Sequence, residues 1–154
     1  MKIEFVPENL SIPFPQANDV YKVLKFVDVH VANYHHDKFS FIKDDYVERQ
    51  KKYYKAAAEY IGFFDSKGPT PFAQKIFLMD TNYLFLSTVQ AILNHKIFFD
   101  YYSNRSKTQV QDQLMKHYKY SLSTAIRRSS TVQKWIEWCD IIIQENNVEV
   151  NHGN

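Results

Sequence analysis

VERQKKYYKAAAEYIGFF, residues 47–64, joins a helical apolar stripe, a dense basic cluster and a tandem tyrosine within a few turns. At about 100° per residue, Val47, Tyr54, Ala58 and Ile61 share one face with Gln50 and Ala57 on its margin, which predicts a helix packed on a core. Arg49, Lys52, Ala56 and Tyr60 fall on the opposite face. A small alanine among Arg, Lys and Tyr lets a helix backbone approach a phosphate ribbon while the longer side chains reach phosphate oxygens or base edges. Gly62 supplies a C-terminal stop. The same pattern is also that of an ordinary solvated face, so other basic segments must decide between the two readings.

Working outward toward the N-terminus, Phe39 to Tyr46 reads as a short helix leading into this stretch. It is preceded by the polar connection Asn33-Tyr34-His35-His36-Asp37. Adjacent histidines do not converge on one ion within a helix, and no cysteine or glutamate stands nearby at ligand spacing, so no metal is expected there. Before it, Val20, Val23, Leu24, Val27 and Val31 follow helical spacing, with Asn18 as the expected cap. Residues 1–17 contain Pro7, Pro13 and Pro15, which bar a regular helix and predict an extended arm.

Toward the C-terminus, Ser66 to Pro69 has turn chemistry and reads as a small wing. Thr70 before Pro71 suits a helix start, with that helix running to about Leu78, and Asp80 or Thr81 caps the next. From Tyr83 to about Phe99 the chain is apolar nearly all round, which predicts a buried central helix. Gln90, Asn94, His95 and Lys96 interrupt it before it would span a bilayer. Tyr101 to Thr108 is then expected as a loop, followed by a polar helix from Gln109 to about Tyr118, with Val110, Leu114 and His117 inward. The second informative segment is Ser121 to Cys139. Ser130 and Gln133 have capping-box spacing, predicting a helix that starts near Thr131. Its stripe of Val132, Trp135, Ile136, Trp138, Cys139, Ile142 and Ile143 is core. A shorter helix or turn, Ser123 to Arg128, displays Arg127 and Arg128 beside Ser129, Ser130 and Thr131, a group suited to phosphate. The tail from Glu145 reads as polar and frayed.

Composition bounds these readings. With 45% hydrophobic and 16% aromatic residues the chain is not disordered, and only 3 Gly and 5 Pro leave little for the turns of a β-sandwich. The expected division is an arm over 1–17, one helical unit over 18–145 with halves 18–79 and 80–145, and a tail over 146–154. A net charge of +2 names no partner by itself, but Arg49 to Lys55 and Arg105 to Arg128 are locally basic. The lone Cys139 excludes an intramolecular disulfide and fits a reducing cytoplasm; the N-terminal MKIEFVPENL lacks the apolar run of a signal peptide.

Taken together, Arg49-Gln50, Tyr53-Tyr54, Ala57-Ala58 and Tyr60-Ile61-Gly62, then Ser123-Thr124, Arg127-Arg128, Ser130-Thr131-Val132, Trp135 and Trp138, resemble the winged helix-turn-helix modules attached to type II restriction endonucleases. The resemblance covers Asn18 to Ile143 loosely and is specific only in those two segments. It implies a mainly α, winged helix-turn-helix-like domain with a minimal β-wing and additional C-terminal helices. It also implies contacts to double-stranded DNA from Arg49, Gln50, Lys52, Tyr53, Lys67, Ser123, Thr124, Arg127, Arg128 and Thr131. The chain lacks the Pro-Asp with acid-x-Lys of many such nucleases, and a convincing His-Asn-His set. A recognition module without catalytic residues, cofactor or metal is therefore expected, acting alone, as a homodimer or with a separate nuclease subunit, and not at a membrane. His95 and His117 have no partner visible in the sequence, and Cys139 reads as a packed thiol. The competing reading is a protein-interaction or oligomerisation module built on the tyrosine-rich surface.

Overall fold

Helix ends are decided here by single side chains. In the computed structural model, which describes residues 1–42 and 48–153, α1 (Val20–Asp28) starts one residue later than expected. Asp19, extended at φ −102°, accepts hydrogen bonds from the amides of Tyr21 and Lys22. Asn18 is drawn away because its side-chain oxygen takes the Thr131 hydroxyl at 2.7 Å. Val31 lies beyond the helix end yet is buried. Residues 38–41 form turns in place of the first half of the expected 39–46 helix, and the rest of that helix, like Val47, lies outside the described residues.

α2 (Glu48–Tyr60) buries Tyr54, Ala57 and Ala58 against α1, as its stripe predicts. It ends in a Schellman turn: the Gly62 amide reaches Glu59 O at 3.1 Å and the Phe63 amide reaches Ala58 O at 2.9 Å, with Gly62 at φ +79°. Tyr60 departs from expectation. It is buried, because the N-terminal arm and His95 close over the end of the helix. The hairpin that follows pairs β2 (Phe64–Asp65) antiparallel with β3 (Gly68–Pro69), turning at Ser66 and Lys67. α3 (Pro71–Phe77) is capped by the Thr70 hydroxyl on the Ala73 amide, and α4 (Thr81–Leu93) by Asp80 on the Tyr83 amide.

The single helix expected over 83–99 is two. α4 stops at Asn94, and α5 (Lys96–Asn104) restarts after His95, whose backbone is extended. The apolar pattern runs through the break, but the arm engages it: the Val6 amide bonds to Asn94 O at 2.9 Å and the Glu4 amide to Asn94 Oδ1 at 3.1 Å. The expected loop over 101–108 shrinks to Arg105 and Ser106, with Arg105 in the left-handed region at φ 58° and its guanidinium gripping Asp140 through two hydrogen bonds of 2.7 and 2.8 Å. α6 (Lys107–Tyr118) follows, capped by Ser106. It buries Val110 and Leu114 but leaves His117 exposed, contrary to the expected inward position.

The larger correction concerns α7 (Leu122–Asn146), one continuous 25-residue helix. Its cap is Ser121, which accepts from the Thr124 amide, so the Ser130–Gln133 spacing falls inside the helix and caps nothing. Ser129 turns its hydroxyl back onto Ile126 O at 2.7 Å, a bond that keeps a serine within a helix. α4, α5 and α6 all pack on α7, which makes it, rather than the apolar 83–99 segment, the central element. Trp135 is its anchor: the indole N–H donates to Ala17 O at 2.7 Å and the ring stacks on Phe98 at 5.2 Å. Val132, Ile136, Trp138, Cys139 and Ile142 are buried as the stripe predicts, Ile143 is half-buried, and burial pushes the Cys139 thiol well above its ordinary pKa.

The two chain ends meet. β1 (Lys2–Ile3) runs parallel to β4 (Asn151–His152), and His152 stacks on Phe5 at 4.0 Å, so the tail expected to fray is paired. The fold is mainly α, with seven helices and two short strand pairs among the described residues. Among those residues no helix is long and apolar enough to cross a membrane.

Candidate nucleic-acid interface

The two basic segments, far apart in the chain, approach each other where Arg128 of α7 comes within electrostatic range of Tyr53 of α2. Arg49 and Lys52 are exposed on the first turns of α2, and the Arg49 Nε–H donates to the Tyr53 hydroxyl at 3.0 Å. That hydrogen bond, helped by the charges of Arg49, Arg128 and Lys52, lowers the Tyr53 pKa, and the same bond raises that of Arg49. Arg128 is half-buried on α7, within electrostatic range of Tyr53, Tyr120 and Arg127. Burial lowers its pKa, Tyr120 opposes the shift, and its Nε has no hydrogen-bond partner.

Lys51 pairs with Glu48, Lys96 with Asp100 and Arg105 with Asp140. Like most lysines of the surface, Arg49, Lys52, Arg127 and Arg128 have no carboxylate within ion-pair distance among the described residues. Uncompensated cations held near one another repel, and a polyanion relieves that repulsion. Behind them, α6 and α7 form a helical hairpin joined by Lys119, Tyr120 and Ser121, with Lys119 at φ 60° making the turn. Ser123, Arg127, Ser130 and Lys134 recur at i, i+4, i+7 and i+11 and are all exposed, forming one stripe along α7. Leu122 and Ile126 flank it at 55% and 46% exposure.

The remaining expected contacts divide. Thr124 sits in the first turn of α7, where its hydroxyl meets Ser121 Oγ at 3.1 Å and the Arg127 guanidinium at 3.3 Å. Gln50 is exposed on α2 beside Arg49. Lys67 is exposed too, but at the hairpin turn after the C-terminal end of α2, whereas Arg49 and Lys52 occupy the helix's first turns. Thr131 does not join the surface. It is 2% exposed, spent on Asn18, because position 131 falls on the core side of the continuous helix.

Sequence reasoning also missed a polar cluster. Glu8, on the arm, accepts from the Tyr60 hydroxyl at 2.9 Å and His95 Nδ1 at 3.0 Å through one carboxylate oxygen, and from the Tyr118 hydroxyl at 2.6 Å through the other. The second His95 nitrogen, Nε2, faces Tyr60 O at 3.0 Å, and the imidazole stacks on the Tyr60 ring at 3.9 Å. Burial alone would raise the Glu8 pKa, but the hydrogen bonds from His95 and Tyr118, the His95 charge and the Tyr60 hydroxyl together hold it below its ordinary value. Burial raises Tyr60 and Tyr118, with the Glu8 carboxylate adding to both shifts. Nothing in the local sequence around Glu8 signals this cluster, since its partners come from α2, the α4–α5 break and α6. His36 meanwhile lies 3.6 Å from the buried Asp28 carboxylate, and among the described residues no three His, Cys, Asp or Glu side chains are grouped to hold a metal ion.

The family model described as Domain of unknown function (DUF7226) matches residues 36–144, and the chain belongs to that family. No curated protein and no solved structure matches the chain. The matched span includes every residue of the basic surface and leaves out Glu8 and the β1–β4 pair.

Proposed function

We propose that this protein binds double-stranded DNA, with α6 and α7 acting as a helix-turn-helix and the first turns of α2 seated on the flanking backbone. The observation that carries the reading is that Arg49, Lys52 and Arg128, from two helices far apart in the chain, all lie within electrostatic range of Tyr53, with Arg127 beside Arg128 on α7. In such motifs the N-terminal residues of the second helix meet base edges. Ser123 and Arg127 occupy those positions here, and the exposed Leu122 and Ile126 beside them suit thymine methyl groups. Arg49, Lys52 and Arg128 serve as phosphate contacts, which position the duplex without reading it. Lys67 and the hairpin have no part in the proposal, and Thr131 acts only by bracing α7 against Asn18.

Fluorescence anisotropy with a labelled duplex at a series of salt concentrations tests it. Three to four phosphate contacts predict that log K falls against log salt with a slope of about −3. Lys52→Ala should weaken binding to all sequences and reduce that slope by about 1, whereas Arg127→Ala should relax preference at one base position by about 1–3 kcal/mol. Absence of binding at low salt, or two variants indistinguishable from wild type, refutes the proposal.

A further inference from the structure

A second concave feature lies away from the basic surface, between the N-terminal arm, the end of α2, α3 and α4. It is a half-open cleft of about 660 Å³, within the roughly 300–1,000 Å³ of small-molecule sites. Its floor is the Tyr60–His95 stack, and both His95 nitrogens already face oxygen atoms of Glu8 and Tyr60. Two exposed aromatic side chains stand in its wall, Phe72 at 50% and Tyr83 at 42%. Among the described residues no lysine or arginine lines it, and the one carboxylate in the wall is Glu59, whose side chain has no hydrogen-bond or ion-pair partner among them. Ser87 adds a hydroxyl, and Gln90, whose amide nitrogen is tied to Lys2 O at 2.9 Å, offers its carbonyl oxygen.

Aromatic faces attract cations through the ring quadrupole, and an unpaired carboxylate beside them adds a full negative charge. His95 on the floor faces the Glu8 carboxylate, so among the described residues the unpaired charge in the lining is that of Glu59, which favours a cationic ligand. We infer that the cleft bounded by Phe72, Tyr83 and the Glu59 carboxylate is a binding site for a small organic cation, a primary amine on an aromatic or aliphatic body. The ammonium sits against Glu59 with the ring faces around it, and the apolar body lies along Ile61 and Ala91. The inference stands independently of DNA binding.

The test uses the full chain with phenethylamine, the neutral 2-phenylethanol and the anionic phenylacetate, followed by amide chemical-shift titration and calorimetry. Phenethylamine should shift the amides of Gly62, Ser87 and Ala91 and bind about tenfold or more tighter than the alcohol, the scale of a cation set against aromatic faces and a carboxylate. Glu59→Gln should abolish that preference at unchanged melting temperature, since the Glu59 side chain holds nothing else, and Tyr83→Ala should weaken the amine without unfolding the exposed first turn of α4. Equal or tighter binding of phenylacetate or the alcohol, no shifts with millimolar amine, or an undiminished preference in the Glu59→Gln protein would each overturn the assignment.

Discussion

At the residue scale the most consequential side chain is Glu8. Three hydrogen bonds converge on its carboxylate from Tyr60, His95 and Tyr118, groups 52, 87 and 110 residues away in the chain. Because the folded state lowers its pKa below 4.5, the stabilisation is fully present above that value and is lost as pH falls through the lower, folded-state value. Wild-type protein should therefore lose stability steeply on acidification below about pH 4.5. Glu8→Gln should cost about 1–3 kcal/mol at neutral pH, the scale for hydrogen bonds to a charged group, and should flatten that acid limb. Urea unfolding of both proteins between neutral and acid pH checks it, and parallel pH curves would show that the cluster does not anchor the arm. His95 showed no partner in the sequence and is buried and satisfied here, since a residue's neighbours along the chain say nothing of a carboxylate on the arm.

Elements were legible where their limits are set locally. Thr70 before Pro71, Asp80 before α4 and Gly62 after α2 act through bonds spanning three to five residues, so the sequence displays them in full. Gly62 offers a clean check. A Cβ there meets nothing within 4 Å, so Gly62→Ala costs only the backbone strain of φ +79°, about 1 kcal/mol, and Gly62→Asn should cost less. A loss far above this in thermal unfolding would mean that the turn is held by packing instead of conformation. The α4–α5 break and the unbroken α7 were not legible. Apolar periodicity continues across Asn94 and His95, and Ser130–Gln133 has cap spacing; which of these interrupts a helix depends on the arm bonding to Asn94 and on Ser121 having already capped α7.

On the scale of the whole molecule, closure joins the two ends of the chain. The N-terminal ammonium donates to Glu149 O at 2.7 Å, the Asn151 amide to Met1 O at 2.9 Å, and the rings of Phe5, Phe99 and His152 cluster in mutual contact. These contacts are few and largely exposed, so ending the chain after Val148 should lower the melting temperature by only about 2–8 °C, the equivalent of roughly 1–2 kcal/mol for a protein of this size. The deletion should raise amide exchange at Val6, which bonds to Asn94, while leaving the duplex binding we propose unchanged, because the basic residues stand on α2 and α7. Unaltered exchange in the arm would show that β1 holds without its partner strand.

What the sequence by itself determined is the mainly α character, the buried stripes of α2 and α7, the packed Cys139 and the positions of the basic residues. Each follows from period, propensity and spacing within a few turns. Tertiary structure alone decided that Arg49 and Arg128 both come within electrostatic range of Tyr53, that Thr131 and Tyr60 face inward, and that Glu8 reaches His95. The physical reason is common to all of them: a side chain's partner across the fold is fixed by how helices pack, and packing brings together residues whose separation along the chain carries no local signal.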